Sequence, residues 1–145
     1  MSTEQWRQFA TQLADHLHEL ADADTVILRH GNRHVQVHQF PDRIHAEAVS
    51  DEFLPTDERM PPGTDQRMTD LGWNPPGPHG YRNWWYELSW PARTQAARSL
   101  AHLLVTTLHD VYGVDRPRDL TYRAFNVNTG EPLTLAALTP LTRVD

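Results

Sequence analysis

Apolar residues recur every three or four positions across Met1–Ala23: Trp6, Phe9, Leu13, Leu17 and Leu20, with Ala10, Ala14 and Ala21 beside them. That spacing predicts an amphipathic helix, capped by Ser2 or Thr3 and ended at Asp22–Asp24. His16 and His18 do not face each other on such a helix and read as surface residues. The period then falls to two. Thr25–Arg29, Arg33–Phe40 and Arg43–Val49 read as strands joined by turns at Gly31-Asn32 and Pro41-Asp42. They predict an antiparallel meander whose buried face carries Val35, Val37, Ile44, Ala46 and Ala48.

Asp51–Gly63 has no period. Thr64–Leu71 reads as a short helix with Thr64 or Asp65 as N-cap, Met68 and Leu71 as its apolar contacts, and Gly72 as its stop. The Pro/Gly run from Asn74 to Tyr81 delivers an aromatic strand, Asn83–Ser89. Alternation sets Trp84, Tyr86, Leu88 and Trp90 on one face, the more apolar and expected core side, and Trp85, Glu87 and Ser89 on the other. Pro91 suits the first turn of a long helix reaching Tyr112 and stopped by Gly113. Leu103 and Val105 fall off its apolar stripe, which suggests contact with a second subunit or with the C-terminal segment. Leu120–Val127 and Pro132–Leu138 read as a hairpin around Asn128–Glu131, and no pattern extends beyond Thr139. The expected fold is a single α+β domain, order α-βββ-α-β-α-ββ, with helices packed on one face of an antiparallel sheet.

Composition narrows the function. The chain has 145 residues, no cysteine, and arginine for all thirteen of its Lys+Arg positions. Disulfides, thiol nucleophiles, Schiff-base lysines and P-loop lysines are thereby excluded. A net charge of −6 disfavours nucleic acid and anionic membranes as partners. The N-terminus lacks a signal-peptide pattern and no apolar run is long enough to span a membrane, so a cytoplasmic location is expected.

Candidate chemistry is sparse. Nucleotide-binding, zinc-protease and nucleophile-elbow motifs are missing from the sequence. Among the histidines, His79 lies in the Pro/Gly loop and His102 and His109 on the last helix, none beside a nucleophile. A two-residue loop at Pro41-Asp42 would set His38 opposite His45 and Gln36 opposite Glu47. His38, His45 and Glu47 then have the donor types of a divalent-ion site and could serve a metal-dependent enzyme. Solvated strand faces carry the same residue types, and neither a cofactor nor a catalytic residue is expected. A binding role fits better: a Trp-rich strand on a half-exposed sheet can take a peptide by strand addition or in an apolar groove. The acidic charge favours basic or neutral partners. The candidate partner-binding residues are Tyr81, Trp84, Trp85, Glu47 and Glu87.

The succession RIHAEAVSDEFL (Arg43–Leu54), TDLGWNPP (Thr69–Pro76), YRNWWYEL (Tyr81–Leu88) and TLHDVYGVDRPRDLTY (Thr107–Tyr122) resembles the bacterial TY-Chap domain group over about residues 4–125. That group is described as peptide-binding, chaperone-like domains related to type III secretion chaperones and to YbjN. The resemblance implies a secretion-chaperone type of α+β fold. It also implies a non-catalytic role holding a peptide or protein client, often as a homodimer. Glu47, Leu71, Gly72, Trp73, Pro76, Asn83 and Trp84 are the positions that match its motif. An interaction module with one fixed partner is the alternative.

Overall fold

The computed structural model describes residues 2–77 and 80–144. Six strands form one sheet in the order β4-β3-β2-β1-β5-β6. They are β1 (Asp24–His30), β2 (Arg33–Gln39), β3 (Arg43–Ala48), β4 (Trp84–Ser89), β5 (Thr121–Asn126) and β6 (Thr142–Arg143). All neighbours are antiparallel except β5 and β6. Two helices, α1 (Ser2–Glu19) and α3 (Thr94–Thr106), pack against each other and against one sheet face. Leu13 of α1 and Leu104 of α3 there meet Val26, Leu28, Val35 and Val37. Removing these side chains from water drives the two layers together.

The meander has the expected register, with His38 opposite His45 and Gln36 opposite Glu47. α2 (Thr64–Leu71) ends as Gly72 predicts. Gly72 adopts φ 120°, its N–H bonds the Thr69 carbonyl, and the Trp73 N–H reaches back to Met68, a Schellman closure. Trp73 and Met68 are buried by that turn.

Four details differ from the sequence reading. The α2 N-cap is Gly63 at φ 93°, because the Thr64 hydroxyl bonds the Pro61 carbonyl instead. α3 begins at Thr94 and not at Pro91: pairing runs on to Trp90, whose N–H bonds the Asp42 carbonyl, so Pro91–Arg93 serve as the connection. Beyond Thr106 the helix widens into a π turn over Thr107–Val111, closed by the Tyr112 N–H on the Thr107 carbonyl. Pro132–Leu138 is not a strand. After a bridge between Phe125 and Pro132 it leaves the sheet and forms a 3-10 turn over Ala136–Leu138. Leu133, Leu135 and Ala137 do alternate as a strand's would, but the ladder stops at that bridge, and the turn carries Ala137, Leu138 and Leu141 into the core.

This tail docks on α1, where His16 Nε2 accepts the Ala137 N–H at 3.0 Å. His16 is therefore a half-buried anchor and not a free surface residue. Leu103 and Val105 are buried within the chain itself.

Candidate functional site

The helices leave the opposite sheet face uncovered. Alternation lays Ile27, Gln36, Glu47 and Trp85 in one cross-strand row of that face. Thr25, His38, His45 and Glu87 form the next row. At the β3/β4 end the two rows join into one polar cluster.

His45 is its centre. Its Nδ1 lies 2.9 Å from Glu87 Oε2 and its Nε2 2.9 Å from Glu47 Oε2. Ionised carboxylates only accept, so satisfying both of them calls on both ring nitrogens to donate, which is the imidazolium form of the ring. Burial works against that charge, since His45 is only 7% exposed. The hydrogen bonds that the ring donates to the two carboxylates outweigh it and hold the His45 pKa above its usual range. The same bond from His45, helped by Asn83, holds Glu47 below the usual carboxylate range against its own desolvation. Desolvation opposes ionisation of Glu87 as well, but bonds from His45, Arg43 and Tyr81 prevail and lower its pKa.

Tyr81 roofs the cluster. Its ring lies 4.3 Å from the His45 ring and 5.2 Å from Trp85, and its hydroxyl donates to Glu87 at 3.2 Å. The roof itself remains 37% exposed. Arg43 closes the side, with Nε 3.0 Å from Glu87 Oε2 and its guanidinium 4.3 Å from the Phe40 ring.

Asn83 fixes the loop that carries Tyr81. It accepts the Ser50 N–H and donates to Glu47 Oε1 at 3.1 Å, while Ser50 Oγ bonds the Arg82 carbonyl. Asn83 was legible only as a motif match, and its clamping role was not. Asn74 adds a single rung to the outer edge of β4, exchanging both backbone bonds with Trp85.

Of the sequence candidates, Tyr81, Trp85, Glu47 and Glu87 come together on the uncovered face. Trp84 does not. It occupies the opposite face of β4, 6% exposed in the core, because successive strand residues point to opposite sides. Trp85 is half-buried.

The divalent-ion donor set does not assemble. His38 turns its Nδ1 to the Thr25 hydroxyl at 2.6 Å and meets Phe40 edge to face, while both His45 nitrogens are taken by carboxylates. Among the described residues no three His, Asp or Glu side chains are placed to hold a metal. His79 lies outside the described residues. His109 gives Nδ1 to the Val114 carbonyl contact at 2.9 Å and packs on Trp6, and His102 contacts Thr106.

A family model described as "TY-Chap3: T3SS (YopN, CesT) and YbjN peptide-binding chaperone 3" matches residues 2–126. No curated protein and no solved structure matches the chain.

Proposed function

The chain belongs to the TY-Chap3 family of peptide-binding chaperones, and on that premise we propose that it is a non-catalytic chaperone-like domain whose client lies on the uncovered sheet face at β3 and β4. Trp85 and Tyr81 supply the aromatic contact, and Glu47 and Glu87 supply acceptors for the client's backbone or cationic side chains. The observation that carries this reading is the ordered roof. Tyr81, packed at a tilt against His45 and Trp85 yet over a third exposed, presents a preorganised aromatic–carboxylate surface beside the terminal strand of the sheet. Aromatic rings held by packing give large contact area at little entropic cost.

Trp84 contributes indirectly, as the buried ring beneath the strand. The reading carries a cytoplasmic homodimer with a peptide or protein client, and with neither nucleic acid nor a membrane as partner. The net charge of −6 supports the last point. No helix among the described residues is long and apolar enough to cross a membrane.

An array of short peptides probed with the wild type and with Trp85→Ala tests it. Binding to a set of peptides that is lost in Trp85→Ala supports the reading, and a set unchanged by the substitution contradicts it. Binding to one peptide alone would favour a module with one fixed partner.

A further inference from the structure

We propose that the C-terminal tail, residues 131–144, is a strap latched to α1 by the neutral ring of His16, and that acid loosens it. A backbone N–H can only donate. The Ala137 N–H, 3.0 Å from His16 Nε2, therefore meets a lone pair there, and the ring proton sits on Nδ1. A proton on Nε2 would remove that acceptor and set two N–H groups against each other. His45, between two carboxylates, is suited by the opposite form. The fold thus holds one imidazole that works charged and one that works neutral.

His16 is the titratable group at this contact. Residues 132–142 of the tail include no Asp, Glu, His, Lys or Arg. They dock through buried Ala137, Leu138 and Leu141. Isolated backbone bonds flank that patch, from the Leu133 N–H to the Ala124 carbonyl and from the Val144 N–H to the Tyr122 carbonyl. On α1 itself, Asp15 and Glu19 favour a charged His16, but burial outweighs them and holds its pKa below the ordinary 6.5. The other elements packed closely on α1 bring Arg98 and His102 of α3 and Arg118 and Asp119 of the Pro117–Asp119 turn. None of these four is among the charges that shift His16.

Undocked, His16 titrates at its ordinary 6.5, and docked it titrates lower. Docking is therefore at full strength above the ordinary value and weakens as the pH falls through the interval below it. The opening constant of the tail rises there by at most about tenfold per pH unit. Lifting the tail frees the Tyr122 and Ala124 carbonyls and bares the outer edge of β5, a template for pairing with another strand. That edge lies at the opposite end of the sheet from β4.

Amide hydrogen exchange on the full chain, corrected for its intrinsic pH dependence, tests the strap. Between about pH 7.5 and about pH 5.5 the Ala137 and Leu138 amides should lose protection about threefold or more, while the amides of β2 keep theirs. His16→Gln puts an uncharged acceptor in the place of Nε2 and should make protection of the tail independent of pH. His16→Ala should lower that protection equally at both pH values. An NMR titration of the wild type needs no variant, and His16 should titrate below its ordinary value. A His16 pKa at or above that value overturns the proposal. So does tail protection that does not fall with pH in the wild type, a fall shared equally by β2, or an equal fall in His16→Gln.

Discussion

His45 and Glu87, 42 residues apart in the chain, meet across β3 and β4 with Nδ1 2.9 Å from Oε2. Glu47 takes the other nitrogen of the same ring at 2.9 Å. One cation thus bridges two carboxylates beneath an aromatic roof, and the candidate surface depends on that bridge holding its shape.

The bridge gives the domain a pH dependence of definite sign. His45 is held above its ordinary 6.5. Its stabilising contribution is therefore fully present below that value and lost as the pH rises through the higher folded value. Glu47 and Glu87 are held below their ordinary 4.5. Their contribution is present above that value and lost as the pH falls through the lower folded values. The Tm difference between wild type and His45→Gln should be greatest in the window between these ordinary values, and should shrink toward alkaline pH. Within the window the substitution should cost about 1–3 kcal/mol. A pH-independent difference would mean that the ring is held neutral.

The two neighbouring tryptophans of β4 should separate stability from binding. Trp84→Ala empties a core position and should cost about 3–5 kcal/mol in chemical denaturation. Trp85→Ala should change stability by about 1 kcal/mol or less while weakening peptide binding by about 2 kcal/mol. Equal losses of stability in the two variants would contradict the assignment of faces.

Trp73 is tied to the π turn by a buried hydrogen bond, indole Nε1 to Thr107 Oγ1 at 2.8 Å. Thr107 in turn donates to the Leu103 carbonyl at 2.8 Å. Thr107→Val leaves the indole N–H buried without a partner and should cost about 1–3 kcal/mol by urea denaturation.

Gly72 stands at φ 120°, and a β-carbon there would have nothing within 4 Å. Gly72→Ala should therefore destabilise through the backbone alone, by about 1–2 kcal/mol. A similar cost for Gly77→Ala, where φ is not positive and a β-carbon also meets nothing within 4 Å, would point to loop entropy instead.

What the sequence made legible was whatever local periodicity encodes. The short connection at Pro41-Asp42 set the β2/β3 register, and alternation along β4 assigned Trp84 and Trp85 to opposite faces. The His45–Glu87 contact was not legible, because it depends on the register between β3 and β4, which a loop of more than thirty residues leaves open. The roof position of Tyr81 follows from Asn83 reaching back to Ser50 and Glu47, a side-chain clamp with no period to betray it. The tail was misread for a related reason. Leu133, Leu135 and Ala137 alternate like a strand, and only packing of Ala137, Leu138 and Leu141 against the core turns that segment out of the sheet.

The five tryptophans offer the most direct test of where a client sits. Trp85 lies on the uncovered face, and Trp6, Trp73 and Trp84 are buried in the core, with Trp90 beside His18. Their indole N–H resonances can be followed by NMR while the strongest peptide from the array is titrated in. The expected result is a large shift of the Trp85 indole, with Trp6 and Trp73 unmoved. A titration that shifts Trp6 and leaves Trp85 in place would contradict client binding on the uncovered sheet face.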